Sequence, residues 1–194
     1  MAGKLKSMVE GYEATQAFRQ RYEFPEGVGV SLIGPKDEGW TEDAYGTPFP
    51  LIAIVEGGLR FPVHPFLTEV LNHYGLAPIQ LQANAYRIIL GIAELNRRLN
   101  LDLGLYEFSY CYSCVESGGA KSDRKKYHFR ARAAQRELVQ FLPSSGKGVD
   151  DVIVRISGPW EFGNLPEEVL PPLRCPRVPG RIGRSQPLQR GFIL

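Results

Sequence analysis

The sequence predicts one α+β domain, in which several helices, including a central helix pair, pack with a small antiparallel sheet. Two observations support this: apolar side chains recur at helical spacing between residues 59 and 100, and three later runs have the composition of strands. The length of 194 residues suits one domain with tails. We expect the domain to span residues 1–165 and a Pro/Arg-rich disordered tail to span 166–194.

The part of the chain that precedes the helix pair is predicted to form a helix and one weak strand. Apolar side chains at helical spacing favour a single amphipathic helix over residues 5–20. The alternation in residues 28–32 predicts the strand. Leu51–Val55 has the character of a short buried segment that fits either helix or strand.

The central helix pair has the clearest pattern. Apolar residues between 63 and 74 share one helix face, with Pro62 and Pro65 at its start and Gly75 just past its end. A second apolar stripe predicts a helix over residues 78–99, with a proline in its first turn. The short link between them predicts a helical hairpin or corner.

The later segments predict the sheet and the tail. Residues 105–115 fit both a strand alternation and a helical face, and we favour the helix. Strand composition marks Tyr127–Arg132, Glu137–Leu142 and Val152–Ile156, which we expect to form a single sheet. Residues 171–194 contain five Pro and five Arg, and they bury too little apolar area to offset the entropy of ordering.

The composition is that of a globular protein rich in turns. The apolar fraction of 43% disfavours disorder of the whole chain, and the 21 Gly and 15 Pro place much of the chain in irregular segments. The longest uninterrupted apolar run has five residues, far too few to cross a membrane. Three cysteines and no N-terminal signal peptide predict an intracellular protein, nuclear or cytoplasmic.

Two runs within the helix pair stand out as motifs. They are GLRFPVHPF at residues 58–66 and LAPIQLQANAYR at residues 76–87. Both resemble the recurrent runs of a plant gypsy-type transposon domain family, which occurs in retrotransposon-related reading frames and is called gag-like. ISGPW at residues 156–160 is similar to the family's terminal Gly-x-Trp. The residues of this chain that carry the resemblance are Gly58, Leu59, Arg60, Pro62, His64, Pro65, Phe66, Pro78, Gln80, Leu81, Asn84, Arg87 and Trp160.

The resemblance implies an origin in a transposable element and no established catalytic activity. We therefore expect a non-enzymatic, gag-like structural or interaction protein, which self-associates through an exposed apolar patch. The chain departs from the family pattern at Ala83 and Tyr86, where the family has Pro and Trp. It also has Asp150 and Asp151 shortly after Lys147, where the family has further basic residues. These acids weaken any phosphate contact there and fit a turn before the next strand.

Three residues of the motifs allow two interpretations. A histidine beside two guanidiniums, here His64 with Arg60 and Arg87, is suited to bind a phosphate or a carboxylate. The same groups commonly bond loop carbonyls or cap helices, which we favour. Asn84 has poor helix propensity, so we expect a buried tertiary hydrogen bond to hold it. We expect Gln80 to be a polar residue in the first turn of the helix that is held in the same way.

Cys111 and Cys114 have the C-x-x-C spacing of a metal or redox site. A zinc site needs four ligands, and neither His128 nor Cys175 completes a zinc motif, so we favour small buried thiols in an aromatic helix. The sequence contains no zinc knuckle, no P-loop, no H-E-x-x-H and no G-x-S-x-G. We expect no metal, no cofactor and no small-molecule substrate.

The near-neutral net charge of +2 averages an acidic first quarter with two cationic blocks, residues 121–136 and 171–194. In a strand, alternate basic residues of the first block share a face opposite Tyr127 and Phe129. This face suits binding of RNA or DNA phosphates, and it equally suits a solvated sheet surface. The candidate nucleic-acid-binding residues, which the Arg-rich tail would supplement, are Lys121, Arg124, Lys125, Lys126, Arg130 and Arg132.

Overall fold

The computed structural model describes residues 2–34, 46–117, 125–143 and 152–161. Within these ranges the chain forms six α-helices and five strands, so the predicted α+β class is confirmed. The helices are α1 (Ala2–Ser7), α2 (Tyr12–Arg21), α3 (Leu51–Val55), α4 (Pro65–Tyr74), α5 (Ala83–Leu99) and α6 (Leu105–Cys111). The strands are β1 (Gly29–Leu32), β2 (Thr47–Pro50), β3 (Tyr112–Ser117), β4 (Lys126–Ala131) and β5 (Ile153–Ser157).

The strands lie in two small antiparallel sheets, whereas the sequence predicts one. The first has the order β1-β5-β2, so the last strand in the chain lies in the middle, with Phe49 of β2 opposite Val154 of β5. The second is the β3–β4 hairpin. A single parallel bridge between Leu81 and Tyr127 joins this hairpin to the link between α4 and α5. The helix pair therefore contacts the hairpin through main chain as well as side chains.

One apolar core connects both sheets to the helix pair. In one part of it, the rings of Phe49 and Trp160 meet edge to face with centroids 5.1 Å apart. In another, Phe108 of α6 meets Phe66 of α4 at 5.8 Å and Phe129 of β4 at 4.8 Å. The first contact joins β2 to the segment after β5, and the other two join α6 to α4 and to the β3–β4 hairpin.

Helix α4 begins and ends as its sequence predicts. Pro65 is its first residue, and the His64 ring Nδ1 accepts a hydrogen bond from Phe66 N at 3.2 Å. Gly75 follows the last turn with a φ of 64°, in the left-handed region that favours glycine. The helix predicted over residues 63–74 is thus confirmed from Pro65 onward.

The single helix predicted over residues 5–20 is wrong, because the chain forms α1 and α2 with a break between them. Gly11 has a φ of 91°, which the interior of a right-handed helix excludes. Its carbonyl then accepts bonds from both the backbone N–H and the hydroxyl of Thr15 in the first turn of α2. Leu5 and Val9 are nevertheless buried, so the apolar pattern predicts burial correctly but not helical continuity.

The second helix of the pair begins later than predicted. Pro78 opens a separate 3-10 turn, Pro78–Gln80, and α5 begins only at Ala83. Gln82 is extended, and its backbone N–H donates to the carbonyl of Tyr127 on β4 at 3.0 Å. This bond holds Gln82 in its extended conformation beside the hairpin. A continuous helix therefore cannot run from Pro78 through Gln82 into α5. The predicted end of the helix, near residue 99, is confirmed.

Residues 105–115 contain both of the structures that their pattern allows. They form α6 as far as Cys111 and then continue directly into β3. The favoured helix is therefore right for the first part of the segment and wrong for the second. The reason is pairing: β3 lies alongside β4 over six residues, which a helix could not do.

The strand predicted over Glu137–Leu142 is wrong. A 3-10 turn, Ala134–Arg136, precedes this segment, and the backbone N–H groups of Leu138 and Val139 donate to the hydroxyl of Tyr112 at 2.9 and 3.0 Å. These N–H groups therefore bond a side-chain oxygen, whereas in a strand they would bond the main chain of a neighbouring strand. Val139 instead packs against α5 at Gly91, where an added Cβ would lie 2.9 Å from the valine side chain.

The remaining predictions divide into those confirmed and those outside the described residues. Strands occur where residues 28–32, Tyr127–Arg132 and Val152–Ile156 predict them, to within about one residue. Leu51–Val55, which fitted helix or strand, forms α3. The tail at 166–194 and the turn predicted at Asp150 and Asp151 lie outside the described residues. Among the helices in the described ranges, none is long and apolar enough to cross a membrane.

Candidate functional site

Arg60 lies in the loop between α3 and α4, and its guanidinium bonds the main chain on either side. Nη1 donates to the carbonyl of Ile54 at 3.0 Å and to that of Leu59 at 2.7 Å. The guanidinium carbon also lies 5.0 Å from the ring centroid of Tyr22, in a cation–π contact. The loop turns at Gly58, which has a φ of 78°. Arg60 thereby connects the loop to the end of α3 and to the residue that follows α2.

The other half of the first motif fixes the start of α4. His64 caps the helix through its ring nitrogen, as described above, and Pro62 precedes Val63, whose backbone N–H donates to the carbonyl of Trp160 at 3.0 Å. Leu59 is fully buried, and Phe66 and Trp160 are 6% and 2% exposed. The motif and the Gly-x-Trp run, about a hundred residues apart in sequence, are therefore in direct contact.

Arg87 on α5 bonds three groups. Nε donates to the main-chain carbonyl of Glu56 at 2.9 Å, and Nη2 to that residue's carboxylate at 2.9 Å. Nη1 donates to the side-chain oxygen of Asn84 at 2.6 Å. The Asn84 amide in turn donates to the carbonyl of Pro143 at 3.0 Å, so the expected tertiary hydrogen bond is present, although the side chain is half-buried rather than buried.

The second motif forms a buried turn around Gln80. The side-chain oxygen of Gln80, which is 1% exposed, accepts a hydrogen bond from Ala77 N at 3.0 Å. The hydroxyl of Tyr86 donates to the carbonyl of Pro78 at 2.6 Å. Leu81 is fully buried at the bridge to β4. Gln80 therefore lies in the 3-10 turn, not in the first turn of α5 as its sequence position predicts.

These contacts bear on the two interpretations of Arg60, His64 and Arg87. Each of the three has its own hydrogen-bond partner within the chain: loop carbonyls for Arg60, a helix N-terminus for His64, and Glu56 with Asn84 for Arg87. None of these bonds joins one of the three side chains to another. The geometry is that of groups that hold loops and helix ends in place.

The basic stretch has the alternation that a strand requires. Tyr127 and Phe129 of β4 are buried, whereas Lys126 and His128 are half-buried and Arg130 is exposed on the opposite face. The hydroxyl of Ser117 bonds Nδ1 of His128 across the hairpin. Burial first, and the positive charge of Arg130 second, lower the pKa of His128.

Several cations of this stretch have contacts within the fold. Lys125 forms an ion pair with Glu116 at 2.9 Å, and the Lys126 ammonium donates to the carbonyl of Ile79 at 3.1 Å. Arg132 lies just past β4, and its Nε donates to the carbonyl of Ser109 at 2.9 Å. Lys121 and Arg124 lie outside the described residues. Of the candidate nucleic-acid-binding residues, Arg130 is the exposed one within β4.

The structure adds three residues that sequence reasoning missed. Tyr106 and Tyr110, one helical turn apart on α6, are 47% and 54% exposed. The guanidinium carbon of Arg136 lies 4.1 Å from the ring centroid of Tyr110. On the helix favoured for this segment, the i, i+4 spacing of the tyrosines is the sequence signal that places them on one face. Arg136 belongs to the cationic block 121–136, but the charge pattern does not indicate its contact with Tyr110.

The two cysteines of the C-x-x-C pair lie on different elements. Cys111 is the buried last residue of α6, and Cys114 is half-buried in β3, so the expectation that both lie in one helix is wrong. Burial raises the pKa of both thiols, that of Cys114 to about 12. Within the described ranges, no three His, Cys, Asp or Glu side chains come together as a metal-binding group.

Comparison with known proteins finds one family model that matches the part of the chain containing the helix pair. Residues 49–115, about a third of the chain, match the family model described as "Putative gypsy type transposon". The matched segment runs from β2 through the two motifs and α6 into β3. No curated protein and no solved structure matches the chain. The chain thus contains a segment related to the gypsy-type transposon family, which includes the residues that hold the helix pair together.

Proposed function

We propose that the chain is a non-enzymatic, gag-like structural or interaction protein of a plant gypsy-type retrotransposon. The family match supports the transposon origin. The observation that best supports the structural role is that the polar side chains of the motifs bond the chain itself. Residues used in this way stabilise a scaffold, and the function of a scaffold lies in the surface that it presents.

A gag-like structural protein acts through contacts between its copies. Leu99 and Leu101 are 61% and 44% exposed and flank Asn100, where α5 ends in the left-handed conformation. Two large apolar side chains exposed on either side of one residue favour burial against a partner. We assign self-association to this end of α5.

Sedimentation velocity over a wide range of protein concentration tests this assignment. The wild-type chain is expected to form dimers or larger species as the concentration rises, and a Leu99→Lys, Leu101→Lys variant is expected to remain monomeric. Lysine suits the end of a helix, because its charge is favourable near the helix C-terminus. Tyr12→Lys is the matched control, since Tyr12 is 79% exposed on α2 and lies outside the assigned surface. A wild-type chain that stays monomeric at all concentrations contradicts the proposal.

A second candidate function is nucleic-acid binding through residues 121–136 and the Arg-rich tail. The outward alternation of β4 supports it, and the contacts of Lys125 and Lys126 within the fold weaken it. On this proposal, affinity for RNA or DNA falls steeply between about 50 and about 200 mM salt. It also falls when Arg124, Lys125 and Lys126 are replaced by alanine. An absence of binding at low salt contradicts it.

A further inference from the structure

We propose that Phe141 of one chain inserts into a groove beside α2 of a second copy. Phe141 is 99% exposed in the loop of residues 137–143, which we call the Phe141 loop. The groove, which we call the α2 groove, is lined by Gln16, Ala17, Arg19, Gln20, Glu23 and Phe24. The inference rests on the proposed structural role and deepens it, because this contact would link dimers held by Leu99 and Leu101 into larger assemblies.

The Phe141 loop is fixed to the rest of the fold near both of its ends. At its start, the backbone N–H groups of Leu138 and Val139 donate to the hydroxyl of Tyr112 at 2.9 and 3.0 Å. At its end, the carbonyl of Pro143 accepts a hydrogen bond from Asn84 at 3.0 Å. Because the loop is already ordered, a partner that binds it loses little affinity to the entropy of ordering.

Phe141 itself has a backbone conformation that is rare for a bulky residue. Its φ of 58° lies in the left-handed region that favours glycine. Packing within the chain does not offset this strain, because the ring is almost fully exposed, and Leu138 of the same loop is 38% exposed. Val139 and Leu142, in contrast, pack against the core. A strained residue that presents an apolar ring to solvent points to a binding partner.

One wall of the α2 groove is aromatic. Helix α2 ends at Arg21, and the chain then reverses through Glu23, which has a φ of 54°. The Phe24 N–H donates to the carbonyl of Arg19 at 3.0 Å, so Phe24 lies back beside the helix. The centroid of its ring is 5.0 Å from that of Phe61. The groove has a volume of about 630 Å³, which is large enough for an aromatic side chain, and an inserted ring would extend this aromatic cluster.

Charge complementarity between loop and groove supports a second copy as the partner. Arg19 is half-buried in the α2 groove, and Glu137 is exposed at the start of the Phe141 loop. Neither takes part in an ion pair among the described residues. Glu23 in the groove and Arg136 before the loop carry the opposite charges, so the attraction depends on which charges meet and not on net charge. A ring in the groove would bring Glu137 within reach of Arg19 and supply a counter-ion to that half-buried guanidinium.

The contact is heterologous, because a loop of one chain meets a different surface of the next. Each chain therefore has a loop and a groove to offer, and contacts of this kind build rings or open filaments. One inserted ring buries too little area to hold two chains by itself. Between dimers, which present two loops and two grooves, the same contact is strengthened by avidity.

Photocrosslinking of the full chain tests the contact directly. The photoreactive p-benzoylphenylalanine replaces Phe141, and a mixture of isotope-labelled and unlabelled chains identifies crosslinks between chains. Mass spectrometry is expected to map these to residues 16–24, also in the Leu99→Lys, Leu101→Lys background, since crosslinking captures weak contacts. The same probe at Tyr106, which is 47% exposed on α6, is the control and is expected to give none there. An absence of crosslinks between chains at residues 16–24 would overturn the proposal.

Charge reversal tests the pairing of Arg19 with Glu137. Arg19→Glu and Glu137→Arg are each expected to lower the yield of these crosslinks severalfold, because each places two like charges together. A chain that carries both changes regains an opposite pair at the contact and is expected to recover the yield. A double variant that stays as low as the single variants would contradict the proposed arrangement.

Sedimentation velocity tests the consequence for assembly. Phe141→Gly removes the ring, and glycine prefers the left-handed conformation of this position, so the variant is expected to fold at least as stably as the wild type. It is expected to form dimers but not the larger species of the wild-type chain. An unchanged size distribution would overturn the proposed link between dimers. A monomeric wild-type chain would contradict the assignment to Leu99 and Leu101, whereas the crosslinks alone decide whether Phe141 meets the α2 groove.

Discussion

Arg87 on α5 bonds Glu56 at two points, through the main-chain carbonyl and through the carboxylate, each at 2.9 Å. Glu56 directly follows the last residue of α3, and Arg87 lies in the second turn of α5. One planar side chain therefore holds the C-terminal end of α3 against the N-terminal part of α5. Since Asn84 bonds the same guanidinium and also the carbonyl of Pro143, the contact extends to the segment after β4.

Replacing Arg87 by lysine is expected to lower the free energy of unfolding by about 1–2 kcal/mol. An ammonium group cannot reproduce the planar set of three bonds that the guanidinium makes. Urea titration followed by circular dichroism measures the change. Glu56→Gln is the control: it keeps the carbonyl contact and removes a partly exposed ion pair, so it is expected to cost less than about 1 kcal/mol. Equal losses in the two variants would show that the ion pair is the important contact.

Replacing His64 by alanine is expected to destabilise the fold by about 1 kcal/mol. The imidazole Nδ1 accepts a bond from the first turn of α4, and alanine leaves that N–H without its side-chain partner. Asparagine is a good N-cap residue, so His64→Asn is expected to recover most of the loss. Thermal unfolding measures both variants. Equal destabilisation by alanine and asparagine would assign His64 a role other than capping.

Trp160→Ala is expected to cost about 3–5 kcal/mol of unfolding free energy. The indole is 2% exposed and packs edge to face on Phe49, and the residue's carbonyl binds Val63 N. Trp160→Phe retains an aromatic ring and is expected to cost much less. Denaturant unfolding followed by circular dichroism distinguishes the two. A small effect of the alanine variant would mean that the core closes without the segment after β5.

The Glu94 carboxylate is expected to titrate far below the usual range. Hydrogen bonds from Arg97 and Arg98 lower the pKa of Glu94 to about 2. Because the pKa in the folded state is depressed, its contribution to stability is present above the ordinary pKa of 4.5 and is lost as the pH falls toward 2. Carbon-detected NMR titration measures the midpoint. Arg97→Gln with Arg98→Gln should move it back toward 4.5, and a wild-type midpoint near 4.5 would contradict the contacts.

Cys111 and Cys114 are expected to react slowly with iodoacetamide at pH 8 in the folded chain. Burial raises the pKa of both, so little thiolate is present, and the thiolate is the reactive form. A Cys175→Ser background limits the reaction to this pair. Mass spectrometry should show much faster alkylation after the chain is unfolded in urea. Rapid alkylation of the folded chain would indicate an activated thiol.

The sequence predicts well those elements whose pattern is local. The apolar face, the prolines and Gly75 are together sufficient to place α4. The strand at residues 28–32 follows from its alternation, and the strand at 152–156 follows from its composition. The position of Trp160 in a Gly-x-Trp run likewise singles out a residue that is buried in the core.

The errors arise where a distant group determines the local structure. The hydroxyl of Tyr112 binds the main chain at Leu138 and Val139, so a strand-like segment forms no strand. Likewise, the carbonyl of Tyr127 binds Gln82 and delays the start of α5. The contact between Tyr110 and Arg136 joins residues 26 positions apart, and no spacing rule in the sequence connects them.

The position of β5 has a consequence for the order in which the protein can fold during synthesis. About a hundred residues separate β2 from β5, yet β5 is the strand that lies between β1 and β2. A nascent chain that has emerged only as far as the β3–β4 hairpin has both outer strands and no middle one, which leaves their edges open to other chains. A truncated product that ends before Ile153 would keep the whole family-matched segment, 49–115, and still lack the strand that closes its sheet. Translation must therefore reach the end of β5 before this domain is protected from aggregation.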